Sequence, residues 1–202
     1  MSTAPESRKL TAQEYLAIER ASDTKHEFYR GEMTAMSGVR LPHLRIVRNL
    51  SHHLTAQFQD SPCEVFTNDL RVLVDPIGFY CYPDLVIVCG TPQLLDKEFD
   101  TLLNPVVILE VLSESTETYD RGEKFRRYRS IESLRTYILV SQTTMNVEWF
   151  IRNPPDADAA WSFDSASGPD GTLPITTLAV PVAIPLRDIY KGVEFPSQNP
   201  DA

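Results

Sequence analysis

A chain of 202 residues, 42% of them apolar, can build one domain with a sizeable core. Its formal net charge of −9 argues against a protein that coats nucleic acid nonspecifically, though not against a local basic surface, and no apolar run reaches the roughly 20 residues of a membrane span. Cys63, Cys81 and Cys89 are odd in number and scattered, which predicts reduced thiols in a cytoplasmic protein rather than a disulfide framework.

Residues 1–9 and 196–202 read as disordered tails around a single domain over residues 10–195, and the polar start holds no signal segment. Thr11 with Glu14 three residues on makes a capping box, so a short helix runs from there to about Ser22. Lys25 to Met36 reads as a hairpin turning at Arg30-Gly31. From Pro42, the four-residue recurrence of Ile46, Leu50, Leu54 and Phe58 predicts the first long helix. Three strands follow, at Val65–Val74, Tyr82–Val88 and Val106–Ser113. A helix starting at an Asp120 N-cap leads to a fourth strand at Thr136–Ser141 by a right-handed crossover. Asn146–Arg152 predicts a further strand, residues 153–171 a loop with a short strand at Trp161, and Leu186–Tyr190 a docking turn. The fold class is therefore α/β (α+β mixed sheet), with a core ordered helix, three strands, helix, strand. Arg121, Lys124, Arg126, Arg127, Arg129 and Arg135 form one candidate basic surface, diluted only by Glu123 and Glu132.

The anomaly lies in the third strand. Alternation puts Glu110 on one face with Val106, Ile108 and Leu112, and a buried carboxylate costs several kcal/mol unless a charge, hydrogen bonds or a metal offsets it. A structural ion pair with Lys124 or Arg71 would do so. So would a cation shared with Asp84, which heads the preceding strand; two neighbouring carboxylates are hard oxygen ligands suited to Mg²⁺ or Mn²⁺.

Pro83-Asp84, then Glu110 with a lysine nearby, resembles the PD-(D/E)XK nuclease superfamily. More closely, the chain resembles the Uma-type family of restriction endonucleases. The matching stretches are Thr11-x-x-Glu-Tyr-Leu, His26-Glu-x-x-x-Gly-Glu, Asn68-Asp-Leu-Arg-Val, Tyr82-Pro-Asp, Leu109-Glu-Val-Leu-Ser, Tyr119-Asp-Arg-Gly-x-Lys-x-x-x-Tyr and Ile189-Tyr-Lys-Gly-Val. The resemblance implies a restriction-endonuclease-like core and metal-dependent DNA hydrolysis. Asp84, Glu110 and the Val111 carbonyl would hold Mg²⁺, with Mn²⁺ as substitute. The superfamily places a lysine two residues after the acid, where this chain has Leu112, so the resemblance shifts that role to Lys124 on the next helix. Glu27 would stand in for an acid that the Pro42–Phe58 helix lacks, and Asp69 and His43 are secondary candidates, His43 toward a phosphate or a metal-bound water. DNA is the implied partner, with a homodimer by analogy to two-strand cutting, and no organic cofactor or membrane is implied. The displaced lysine also admits a different class, a nuclease-fold module that binds DNA or protein without cutting.

Overall fold

A computed structural model describes residues 8–75 and 78–195. The tails expected over 1–9 and 196–202 therefore lie outside the described residues, except Arg8, which pairs with Glu14, and Lys9, which packs against Gly31. Thr11 caps α1 (Ala12–Arg20) through the complete capping box with Glu14. The hairpin of β1 (His26–Tyr29) and β2 (Glu32–Ala35) turns at Arg30 and Gly31, whose φ angles of 50° and 91° suit a turn that needs two left-handed residues. A Cβ on Gly31 would stand 2.5 Å from that of Lys9, so a side chain is excluded twice over.

The long helix is α2 (Leu41–Gln57), and Ile46, Leu50, Leu54 and the following Phe58 are all buried, as their spacing predicts. Beyond it the strand expectations need correction. Val65–Val74 is not one strand. Asn68 and Asp69 turn the chain, leaving β3 (Cys63–Thr67) in one sheet and β4 (Arg71–Asp75) in another. Likewise β5 (Phe79–Cys81) and β6 (Leu85–Cys89) belong to different sheets, and Tyr82-Pro83-Asp84 is the link between them. A proline without an N–H fits that break in pairing better than a strand interior.

After β7 (Thr101–Leu102) comes β8 (Val107–Leu112), buried along its whole length. The crossover helix starts at Glu117 rather than at Asp120. It comprises α3 (Glu117–Tyr119), a π-helical turn over Asp120–Lys124 and α4 (Phe125–Tyr128), so Asp120 is a buried helical residue and not an N-cap. Strands β9 (Thr136–Ser141) and β10 (Asn146–Arg152) follow as expected, and β11 (Trp161–Ser167) extends further than the short strand predicted there. The chain closes with the pair β12 (Thr172–Ile175) and β13 (Val182–Pro185), then α5 (Leu186–Ile189) at the predicted docking turn.

The central sheet has the order β11-β10-β9-β8-β6-β3, with β8 and β9 parallel and β6 antiparallel to both its neighbours β8 and β3. Odd residues of β8 (Val107, Leu109, Val111) pack toward α2, Ile46 and Leu50. Even residues (Ile108, Leu112) pack with Tyr128 of α4. The core order helix, three strands, helix, strand is thus realised by α2, β3, β6, β8, the α3–α4 helix and β9. The second sheet, β2-β1-β5-β4-β7, carries the hairpin, which walls one side of the site, and packs α1 against β1 and β5.

Register also decides the cysteines. Cys63 and Cys89 face each other across β3 and β6 and form a disulfide, which corrects the expectation of three reduced thiols; Cys81 is free and buried. Counting cysteines along the chain cannot reveal two directly opposed strand positions.

An ionic network ties α1 to the second sheet. Arg20 Nε lies 2.7 Å from Asp100 and Arg71 Nη2 lies 2.8 Å from it, and Arg20 first of all holds the Asp100 carboxyl well below its ordinary range. With the folded value below the unfolded one, this contribution is complete above about pH 4 and is lost as pH falls through the folded value. Asp100→Asn is therefore expected to flatten the acid limb of a Tm–pH curve; an unchanged limb would remove Asp100 as its source.

Candidate active site

Asp84 stops short of β6, one step beyond the Leu85–Leu109 pair, which sets it beside Glu110. Since β6 has ended, the N–H of Val111 finds no ladder partner there and donates instead to Asp84 Oδ2 at 2.7 Å. The Asp84 N–H in turn lies 3.4 Å from Glu110 Oε2. His43, buried in the first turn of α2, places Nε2 3.0 Å from Asp84 Oδ1. At the sheet end, then, Asp84 is reached from both layers.

Glu110 points to the α4 side. Its Oε1 accepts from Tyr128 Oη at 2.7 Å and lies 2.9 Å from Lys124 Nζ. Lys124 is 5% exposed, an extreme burial for lysine, and its ammonium also lies 3.1 Å from Glu27 and 3.6 Å from Asp120. The π-helical turn carries both Asp120 and Lys124, and the i, i+4 spacing of Asp120, Lys124 and Tyr128 aligns all three on the site-facing side of the helix. Burial pushes the Glu110 carboxyl up to about 8 against the pull of Lys124. Burial likewise raises Asp120. It opposes charge on Lys124, but Glu110, Glu27 and Asp120 outweigh it and hold the ammonium above the usual lysine range. Several carboxylates around one buried cation cannot all ionise without further positive charge.

These groups line a cavity of about 680 Å³, walled by the β1–β2 hairpin, residues 36–40 and residues 113–116. Asp84, Glu110, Val111, Lys124, Glu27 and His43 are brought together. Asp69 is not: it is exposed and pairs with Lys25 at 2.5 Å. Arg71 is also elsewhere, donating to Tyr82 Oη and Thr101, so Glu110 pairs with Lys124 alone of the two cations considered for it. The basic run after residue 120 is largely spoken for: Arg121 pairs with Glu117 and Glu148, Arg126 and Arg127 with Glu123. Sequence reasoning missed Asp120, Tyr119, Arg127, Arg40 and Gln142 as lining residues, and Tyr128 as a partner of Glu110. The signal for Asp120 and Tyr128 was their four-residue spacing from Lys124; an N-cap and a core tyrosine explained them too easily.

Gln142 Oε1 is buried with no hydrogen-bond partner among the described residues.

The donor set suits a hard divalent cation. Among the described residues no group of three or more His, Cys, Asp or Glu forms a ready cage. Mg²⁺ is commonly held by one or two carboxylates plus water and substrate phosphate, which Asp84 and Glu110 can supply with backbone oxygen nearby.

A family model described as "Putative restriction endonuclease", Uma2, matches residues 12–181. The chain belongs to the Uma2 family. Two Synechocystis proteins are similar to the chain. "Uncharacterized protein sll1609" is 36% identical over 141 residues, covering 70% of this chain and 80% of the relative. "Uncharacterized protein slr1290" is 32% identical over 187 residues, covering 93% and 94%. A crystal structure of "a putative nuclease belonging to DUF820" from Anabaena variabilis superposes with a TM-score of 0.71 at 14% identity, over 90% of this chain and 97% of that one. The Uma2 chain therefore has the restriction-endonuclease-like mixed α/β fold. No helix among its described residues is long and apolar enough to cross a membrane.

Proposed function

We propose that this Uma2 protein is a Mg²⁺-dependent DNA endonuclease, with Mn²⁺ as a substitute ion. The observation that carries the reading is the approach of Lys124 Nζ to Glu110, 2.9 Å, beside Asp84. A lysine from the helix thus reaches the acid that Leu112 cannot serve from its own strand, which supports cutting over the non-cutting module.

Asp84, Glu110 and the Val111 carbonyl would hold the ion. Bound there, it would supply Lewis-acid polarisation of the phosphate and a more acidic water. Lys124 orients the attacking water and offsets charge growing on the phosphate oxygens. Glu27 and Asp120 hold the Lys124 ammonium in place, Tyr128 fixes the Glu110 carboxyl, and His43 fixes Asp84. Two copies related by a twofold axis would address both strands of a duplex. The test is direct. Pure protein with supercoiled plasmid and Mg²⁺ or Mn²⁺ should yield nicked and linear DNA, and EDTA should stop it. Intact plasmid in every ion would rule out the cutting function.

A further inference from the structure

From Met33 to Gln59 the chain has no Asp or Glu, although it carries 28 of them overall, and three of its four histidines fall in this stretch. Most of it is α2. In an acidic protein such a long acid-free segment invites a reason, and packing supplies one only for the buried face. The outward face carries Arg45, Arg48 and His52, and it begins beside Arg40, which lines the catalytic cavity.

These cations differ from the others. Lys124 and Arg127, which also line the cavity, are already paired with carboxylates. Arg40 has no side-chain partner among the described residues. Arg48 donates only to Asn49 Oδ1, at 3.2 and 3.0 Å, and meets no carboxylate. Asn49 is itself pinned, donating to the carbonyls of Ile189 and Lys191 at 2.9 Å each. That clamp brings Lys191 beside α2 and forms a second groove, about 420 Å³, lined by Arg48, Asn49, His52, His53, Asp188 and Lys191. The counter-charges are few: Asp188 in the groove, and Glu194, 89% exposed, at 3.3 Å from Arg45. From Arg40 to His52 the helix rises about 18 Å, the axial length of about five phosphates on one strand of a duplex.

We infer that the outward face of α2, from Arg40 to the Arg48–Lys191 groove, is the track on which the nucleic-acid backbone lies as it enters the site. This inference rests on the DNA-cutting reading but has its own signature. Contacts to phosphates release counterions, so each one lost makes the slope of log affinity against log salt shallower by about 0.9.

The experiment compares wild type with Arg48→Ala/Lys191→Ala and with Arg126→Ala/Arg135→Ala, which removes equal charge elsewhere. Anisotropy of a short fluorescein-labelled duplex gives Kd across a salt titration, plasmid cleavage gives kcat and KM, and sedimentation gives the oligomeric state. Expected for the α2-side pair is a slope shallower by about two, with Kd and KM raised about tenfold and kcat within about twofold of wild type; the control pair should match wild type. Equal slopes for the two pairs overturn the track while wild-type cutting stands. A changed oligomeric state without a changed slope also overturns it, and makes this face, with exposed Leu41 and Leu44, a contact between copies. Duplex neither bound nor cut by wild type overturns both readings.

Discussion

Glu110→Gln should lower Mg²⁺-dependent plasmid cleavage by about 10³-fold or more, with folding intact. The magnitude follows from what the carboxylate does. Cation chemistry at a phosphoryl centre is worth several kcal/mol, and each 1.4 kcal/mol is tenfold in rate. Gln keeps the length of the side chain and an oxygen for Tyr128 Oη, so the local hydrogen bond at 2.7 Å survives while the anionic ligand is lost. Asp84→Asn should behave alike, since an amide oxygen can still accept from the Val111 N–H. The measurement is a nicking time course with circular dichroism as the folding control. Equal nicking by wild type and both variants would falsify the catalytic assignment. Cleavage lost in only one would confine the role to that acid.

Lys124→Met should be the most destabilising single change in the site, by about 3–5 kcal/mol at neutral pH, because it leaves buried carboxylates without their cation. Glu110 and Asp120 are 4% exposed and both lie within ion-pair distance of Lys124. The sign with pH is distinctive. A lysine whose folded pKa is raised contributes fully below its unfolded value and loses that contribution only as pH rises through the folded one. The Lys124 ammonium is therefore retained at neutral pH, and the variant should regain stability toward acid as Asp120, whose carboxyl burial already raises, takes up its proton. Cleavage should be lost as well. Urea denaturation at neutral and mildly acidic pH decides it: a variant as stable as wild type at neutral pH would mean that water already reaches these carboxylates and the cluster is not a dry one.

Most of this architecture is legible along the chain because its signals are local. The capping box at Thr11, the Arg30-Gly31 turn and the α2 stripe each depend on residues within one or two turns of each other. Glu110 too was visible, as a charge inside an apolar strand. Strand runs were less reliable. Val65–Val74 looks continuous in composition but is divided between two sheets, and Tyr82–Val88 pairs only from Leu85 onward; nothing within four or five residues says with which sheet a strand will pair.

What the sequence by itself determined, then, is the capped first helix, the hairpin, the α2 stripe and the two acids that most demand explanation. What only the tertiary structure decided is which charges meet. The sheet end frees the Val111 N–H for Asp84, the π-helical turn aims Lys124 at Glu110, and the register opposes Cys63 to Cys89. Asp69, within a matching motif, falls on the surface with Lys25, whereas Asp120, read as a cap, sits buried beside Lys124. The physical reason is the same throughout. Propensity and periodicity act over a few residues, while Coulomb attraction and desolvation act between side chains that the chain brings together from far apart, such as Glu27 and Lys124.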